Sequence, residues 1–175
     1  MKNEIIKTIE TRRSSRGYKD EQITDEELKT ILDAGMWAPS GKGAQSPIFV
    51  AVQDKDDIEA LRKVNAEVFG RPEIDTFFAA PTVVVVLAKK DVPTALHDGC
   101  AAITTMCLAA SSIGVGSCWI HRAKETFESE IGKGLLQKWG IEDEYIGIGN
   151  CILGYENKEP RTRLPRKENY YTIIK

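Results

Sequence analysis

The stretch "TVVVVLA", Thr82 to Ala88, is the feature that most limits how this chain of 175 residues can fold. Its consecutive β-branched valines favour an extended strand, which Pro81 and the charged residues after Ala88 bound. A run without alternation of apolar and polar residues predicts a strand that is buried on both faces. A chain of this length is most simply one domain, and an apolar fraction of 42% is enough for a real core.

Helices and short strands alternate along most of the chain. Apolar residues recur at helical spacing, or form apolar helix-length runs, over 2–11, 25–37, 54–69, 97–114 and 124–140. Thr24 is predicted to cap the helix at 25–37, and Pro39 ends it. Strands are predicted over 47–53, 82–88, 115–120 and 144–155. We therefore expect a single α+β domain over residues 1–175.

The C-terminal segment 156–175 differs from the rest of the chain. It is polar and broken by prolines, and then ends in a short strand pattern formed by Tyr170, Tyr171, Ile173 and Ile174. A terminus rich in apolar residues generally docks on a surface. The pattern has no evident partner in its own chain, so we predict that this tail crosses to a second copy of the protein.

Several functional classes are disfavoured. The chain lacks Gly-x-Ser-x-Gly, Walker and Gly-x-Gly-x-x-Gly motifs, and a Rossmann nicotinamide dehydrogenase is therefore not expected. A net charge of −2 without a basic stripe argues against a nucleic-acid partner. The longest apolar run is too short to span a bilayer and the N-terminus has no apolar signal region, so we expect no membrane partner and a cytoplasmic location.

No metal site is predicted, because the four cysteines form no Cys-x-x-Cys pair and the chain has only two histidines. Cys100 and Cys107 are one heptad apart on a predicted helix and are expected to be buried thiols. His97 and Asp98 are adjacent, but neighbours on a helix point in different directions. We therefore assign this pair to the start and capping of the helix rather than to catalysis.

Three patches carry groups that suit a ligand. Positions 12–16 read "RRSSR", and arginine forks with serine hydroxyls fit a compact dianion. The loop "APSGKGAQS", 38–46, has small residues that let its backbone approach a planar ligand, and "RTRLP", 161–165, adds two more arginines. A ligand with a phosphate at one end and a heteroaromatic ring at the other would use all three. Taken alone, the arginine cluster is better explained as solvated charge at a helix end.

In this order and at these separations, the patches resemble the FMN-dependent nitroreductase family. The matching segments are "RRSSR" at 12–16, "APS" at 38–40 with Gln45, "GVGSCWI" at 114–120 and "RTRLP" at 161–165, which together span essentially the whole chain. The resemblance implies a three-layer α+β fold, with a central mixed, mainly antiparallel sheet flanked by helices. It also implies an intertwined homodimer in which 156–175 is a tail that embraces the partner subunit.

The resemblance also implies roles for individual residues. The FMN phosphate and its neighbouring hydroxyls are expected to contact Arg12, Arg13, Ser14, Arg161 and Arg163. Arg16 matches a cation near N1 and O2 of the isoalloxazine ring, where positive charge favours two-electron reduction.

Ring contacts are implied for three further segments. The backbone that ends the "CWI" strand, at Ile120, His121 and Arg122, matches amide groups that face N5 and O4. Asn65 matches an asparagine at the pyrimidine edge. The loop that reaches FMN from the other subunit corresponds to Pro39, Ser40, Gly41 and Gln45. Gly43 stands where one version of this loop has asparagine.

The activity implied by the resemblance is electron transfer from NADH or NADPH, through FMN, to a nitroaromatic, quinone or similar small-molecule electron acceptor by a ping-pong reaction. Flavin N5 carries the chemistry, so no side chain acts as nucleophile and Arg16 gives electrostatic support. Two alternatives stay open at this point. The first alternative is a flavin-binding or flavin-storage protein without turnover. The second is another flavin reaction on the same scaffold, such as dehalogenation.

Overall fold

The computed structural model describes residues 1–141 and 144–175. Its helices are α1 (Glu4–Thr11), α2 (Asp25–Met36), α3 (Lys55–Val68), α4 (Ala95–Ser112), α5 (Ala123–Glu128) and α6 (Glu130–Lys138). Its strands are β1 (Pro47–Val52), β2 (Thr82–Lys89), β3 (Gly116–Ile120) and β4 (Tyr145–Gly154). Among the residues described, none lies in a helix that is both long and apolar enough to cross a membrane. The elements lie within two residues of the predicted segments, with one exception.

That exception is the segment 124–140, where the prediction of one continuous helix is wrong. Ser129 has an extended backbone (φ −74°, ψ 160°), so it ends α5 and caps α6. Its hydroxyl donates to the Thr126 carbonyl at 2.7 Å and accepts from the Gly132 N–H at 3.0 Å. A Cβ on Gly132 would lie 2.0 Å from the same carbonyl oxygen. The close approach of the two helices therefore requires glycine at this position.

α2 begins where the sequence predicts. The Thr24 hydroxyl accepts from the Glu27 N–H at 3.2 Å, and the Glu27 carboxylate accepts from the Thr24 N–H at 2.8 Å. This reciprocal pair satisfies N–H groups that the first turn of a helix leaves without partners. Glu27 also accepts from the Tyr155 hydroxyl at 2.6 Å, which ties the start of α2 to the residue after β4.

The strands form one antiparallel sheet in the order β1-β2-β4-β3. β2 pairs with both β1 and β4, and its residues from Val83 to Ala88 are fully buried. The prediction of a strand buried on both faces is thus confirmed. Among the described residues, parallel pairing is confined to an isolated bridge between Ser14 and Ser117.

Two hydrophobic cores lie on opposite faces of the sheet. The core beneath α2 and α4 includes Ile31, Val84, Val86, Ile103, Met106 and Leu153. The core beneath α3, α5 and α6 includes Leu61, Val83, Val85, Phe127, Leu135 and Ile152. Helices, sheet and helices therefore make three layers, which confirms the predicted α+β fold.

The two terminal segments stay exposed in the single chain. α1 buries none of its residues, and Ile5 at 68% and Ile9 at 50% exposure form an apolar stripe along it. Residues 159–175 form neither helix nor strand, so the strand pattern near the C-terminus is not realised within this chain. Tyr171 and Ile174 are 80% and 90% exposed. Both segments thus present apolar surface that their own chain does not cover.

Candidate functional site

The arginine-rich segment 12–16 lies beside β3. The Ser15 N–H donates to the Ser117 carbonyl at 2.9 Å, next to the parallel bridge between Ser14 and Ser117. After this bridge the chain turns towards the start of the tail, where the Asn157 N–H donates to the Gly17 carbonyl at 3.3 Å. Burial raises the pKa of the Cys118 thiol in β3, and the charges of Arg16 and Arg12 oppose that rise. Both guanidinium groups are therefore within electrostatic reach of the strand.

Arg12 and Arg13 are neighbours that the fold uses differently. The Arg13 guanidinium donates to the carbonyl oxygens of Glu10, Thr11 and Arg12 at 3.3, 2.6 and 2.9 Å. These carbonyls lie at the C-terminal end of α1, where a helix leaves its acceptors unpaired, so Arg13 caps that helix. The Arg12 side chain forms no hydrogen bond or ion pair with any described residue. Arg12 thus keeps all five of its N–H donors for a ligand, whereas Arg13 uses one of its nitrogens within its own chain.

Arg163, in the segment 161–165, is close enough to the segment 12–16 for the charges of the two segments to interact. Loss of hydration lowers the pKa of Arg163, and the positive charges of Arg13, Arg166 and Arg12 lower it further, whereas the charge of Glu10 opposes them without forming an ion pair. No carboxylate within residues 1–141 or 144–175 forms an ion pair with Arg163. Like charges gathered without a paired carboxylate favour a bound anion. Arg161 precedes them on the same exposed segment and makes no hydrogen bond there.

Contacts at the start of the tail explain how these patches meet. The Ser15 hydroxyl donates to the Glu156 carboxylate, and the Asn157 amide donates to the Tyr18 carbonyl at 2.6 Å. A cavity of about 320 Å³ lies between residues 11–15 and 156–160. Sequence reasoning missed Glu156 and Asn157, because neither belongs to a motif and their partners are more than a hundred residues away.

At the other end of β3 the chain turns through Ile120, His121 and Arg122. Asn65 of α3 is fully buried, and its amide N–H donates to the His121 carbonyl at 2.8 Å. Its amide oxygen accepts from the Arg122 guanidinium at 3.0 and 3.3 Å. The structure therefore brings Asn65 to the turn with which the resemblance groups it. One Asn65 amide hydrogen remains for a further acceptor.

A buried carboxylate, Asp98, organises the loop at 39–45. It accepts from the Gly41 N–H and the Thr94 hydroxyl, both at 2.9 Å, and from the Ser46 hydroxyl at 3.5 Å. Asp98 therefore has a structural role, as the sequence predicts, but the prediction that it caps the helix is wrong, because α4 begins at Ala95 and its N-cap is Thr94. Asp98 lies in the first turn of α4 and also holds the loop. The loop contact was missed because Gly41 and Asp98 are separated by 57 residues.

The loop itself has an unusual backbone. Lys42, Gly43 and Gln45 adopt positive φ values of 53°, 66° and 47°, and the Gln45 N–H donates to the Ser40 hydroxyl at 3.1 Å. Pro39 and Gln45 are exposed. Within the described chain, no hydrogen bond joins this loop to the arginine-rich segment or to the turn after β3. Within a single chain the loop residues are thus linked by hydrogen bonds to Asp98 and to one another rather than to the other predicted site residues.

β3 separates the remaining predicted site residues into two groups, which we call the phosphate end (Arg12, Ser14 and Arg163) and the ring end (Asn65, His121 and Arg122). At ~3.3 Å per residue, the stretch from Ser117 to His121 is about 13 Å long. The charge of Arg16 reaches Cys118, in the middle of β3. An elongated ligand with an anion at one end and a planar polar ring at the other fits this layout.

Three cysteine thiols, those of Cys107, Cys118 and Cys151, are buried in the part of the fold that includes β3 and β4. The Sγ atoms of Cys107 and Cys151 are 3.7 Å apart, and their hydrogen bond lowers the pKa of Cys107 to about 7 and raises that of Cys151. Cys107 is buried as predicted, whereas Cys100 is only partly buried. Among the described residues, no group of three or more His, Cys, Asp or Glu side chains is arranged to hold a metal ion.

Comparison with known proteins gives consistent matches. The model of the nitroreductase family matches residues 9–155. An Archaeoglobus fulgidus protein named "Putative NADH dehydrogenase/NAD(P)H nitroreductase" is 34% identical over 159 residues, which are 89% of this chain and 87% of that protein. A Bacillus subtilis protein named FMN reductase (NAD(P)H) is 38% identical over 73 residues, 42% of this chain and 28% of its own. The crystal structure of a Bacteroides fragilis nitroreductase with bound FMN shares 30% identity and a TM-score of 0.92, covering 99% of this chain and 100% of that one.

Proposed function

The chain belongs to the nitroreductase family, and from that premise we propose that it is an FMN-dependent oxidoreductase. Electrons come from NADH or NADPH and pass to a nitroaromatic, a quinone or a similar small acceptor in a ping-pong reaction. The observation that carries the proposal is the separation along β3 of an arginine cluster, in which Arg163 forms no ion pair with a described carboxylate, from a polar turn held by Asn65. The names of the relatives and the FMN in the Bacteroides fragilis structure support it.

The phosphate end fits the phosphate of FMN by the chemistry of its donors. Arg12 and Arg163 offer guanidinium groups that form no ion pair with a described carboxylate, and Ser14 adds a hydroxyl. Charge-assisted hydrogen bonds of this kind contribute about 1.5–3 kcal/mol each. Arg161 would join them once the exposed segment closes on the ligand. One nitrogen of Arg13 already caps α1, so Arg13 would contribute through its charge and its remaining N–H groups.

The ring end fits the polar edge of a flavin. When bound, FMN would supply the hydride acceptor that no side chain of this chain provides. The backbone at His121 and Arg122 would orient the ring, and Asn65 holds that backbone in place through the His121 carbonyl. Arg16 would place a positive charge along the same edge, where it stabilises negative charge that develops on reduction.

We propose further that the working form is a homodimer. The apolar stripe on α1 and the apolar end of the tail are exposed in one chain, and such surface is typical of an interface. A second protomer would cover both and would bring its loop residues Pro39, Ser40, Gly41 and Gln45 to the ring. In this arrangement residues 1–175 are one FMN-binding domain, and 156–175 is its embracing tail. The four free thiols suit the reducing cytoplasm, where NADH and NADPH occur.

The decisive experiment is an absorbance spectrum of the freshly purified protein, with the released cofactor identified by mass. We expect flavin absorbance, FMN on release, and loss of the absorbance when NADPH or NADH is added without oxygen. A colourless protein that takes up no added FMN contradicts the proposal. Flavin that binds but resists both donors would instead favour a storage protein, and turnover of halogenated phenols in preference to nitroaromatics would favour dehalogenation.

A further inference from the structure

Arg122 has a backbone conformation that few residues adopt. Its φ of 75° and ψ of 16° lie in the left-handed region, at the residue that precedes α5. Glycine adopts this conformation freely, whereas arginine is strained in it. A turn that only had to present backbone N–H groups would be built more easily with glycine. An arginine at this strained position points to a use for its side chain.

Two residues at the end of α3 hold that side chain. The Asn65 amide oxygen accepts from its Nε at 3.3 Å and from an Nη at 3.0 Å. The guanidinium carbon lies 4.5 Å from the centre of the Phe69 ring, a favourable cation–π distance. Phe69 is 47% exposed, so the ring is open to solvent while it fixes the cation. The Arg122 guanidinium is thus held in a fixed position at the ring end.

The charge of Arg122 is not neutralised there. Burial lowers its pKa, and Glu125 opposes this effect from a distance without forming an ion pair. Asn65 occupies two of the five guanidinium N–H donors, and the other three have no partner among the described residues. A partly desolvated, immobilised cation with free donors binds an oxyanion well, because little side-chain entropy is lost on binding.

We propose that Arg122 is a specificity-determining residue that binds an oxyanion on the substrate at the ring end, with Phe69 positioning its guanidinium. The inference rests on the proposed function, since it assigns the substrate of that same site. This role of Arg122 restricts the expected substrates to planar compounds that carry a negatively charged oxygen group. That group is either a carboxylate of the electron acceptor or a phosphate of the nicotinamide donor.

The test uses the full-length, flavin-loaded protein and the variants R122Q, R122K and R122G. Benzoate and benzamide have the same ring but differ in charge, and calorimetry gives the Kd of each without turnover. We expect R122Q and R122G to lose about tenfold in affinity for benzoate, a typical effect of losing one charged hydrogen bond, with little change for benzamide. R122K, which keeps the charge but not the fork, is expected to lose less. R122G suits the left-handed backbone and so controls for folding.

A second arm separates the two sources of the oxyanion. The values of kcat/KM are compared for NADH and for 1-benzyl-1,4-dihydronicotinamide, which donates a hydride but has no phosphate. If the variants lose affinity for benzoate but keep kcat/KM for NADH, the oxyanion is the carboxylate of an acceptor. If they lose kcat/KM for NADH but keep their affinity for benzoate, it is the phosphate of the donor. The proposal for Arg122 is overturned if the variants leave unchanged both the ratio of the two Kd values and the ratio of the two kcat/KM values. A wild-type protein without bound flavin would show, before any variant is made, that the proposed function itself has failed.

Discussion

The phosphate end and the ring end of the candidate site are built in opposite ways. At the ring end, Asn65 is fully buried and bonds to both His121 and Arg122. At the phosphate end, Arg12 and Arg163 repel one another and bond to no described residue. The fold itself positions the side chains of the ring end, whereas on the proposed function the FMN phosphate would position the side chains of Arg12 and Arg163. On the proposed function, the ring end therefore sets the position of the bound flavin, and the phosphate end sets the affinity for it.

The largest effect is expected from removing the tail after Lys158. This variant keeps the contacts of Glu156 and Asn157 but loses Arg161, Arg163 and the apolar end of the tail. We expect complete loss of bound flavin and a monomer by light scattering. A matched variant that ends at Asn169 keeps the arginines and should lose only the dimer contacts of Tyr170 to Ile174. A yellow, dimeric protein ending at Lys158 would refute the shared site.

At the ring end, N65A is expected to cost about 2–4 kcal/mol of unfolding free energy. The substitution leaves the His121 carbonyl and the Arg122 guanidinium without their partner. Chemical denaturation of the flavin-free protein measures this loss directly. An N65A variant as stable as the wild type would contradict the conclusion that the hydrogen bonds of Asn65 organise the ring end.

R12Q and R13Q form a matched pair at the phosphate end. We expect R12Q to raise the Kd for FMN about 10- to 100-fold, the effect of removing a charged hydrogen bond. R13Q should raise it much less and should instead lower the melting temperature, since Arg13 caps α1. Flavin fluorescence titration gives both Kd values. Salt should weaken FMN binding in the wild type and weaken it less in R12Q.

The charge of Arg16 reaches Cys118 in the middle of β3, and on the proposed function its substitution separates binding from reduction. R16A is expected to keep bound FMN but to slow reduction by NADPH about tenfold, because it removes positive charge where negative charge develops. Anaerobic stopped-flow absorbance measures that rate. Equal rates in R16A and the wild type would remove Arg16 from the mechanism.

The smallest effect concerns the start of α3, the helix that carries Asn65. Asp57 accepts from Lys138 at 2.6 Å and from Trp139 at 2.9 Å, and these bonds lower the pKa of Asp57. A carboxyl group with a lowered folded pKa stabilises the protein above its unfolded pKa, and this contribution disappears as pH falls through the folded value. D57N should therefore lose about 1 kcal/mol at pH 7 and less near pH 3. Thermal unfolding at both values tests this, and a gap between variant and wild type that widens in acid would contradict it.

Local patterns predicted the elements, but not the contacts that join them. The buried strand at Thr82–Lys89 and the cap at Thr24 follow from neighbouring residues, and the sequence therefore revealed both. The break at Ser129 depends on how closely Gly132 approaches Thr126, which no periodicity records. The roles of Asn65 and Asp98 depend on partners 56 and 57 residues away. The resemblance supplied the position of Asn65, and nothing in the sequence supplied the contacts of Asp98.

Asp98 has a consequence for the way in which two protomers meet. Its bonds to Gly41, Ser46 and Thr94 shape the loop at 39–45 within a single chain. A loop that is already shaped loses little conformational entropy when a second chain covers it. On the proposed dimer, assembly at this contact is a docking of formed surfaces, so its rate depends on collision and orientation rather than on a folding step.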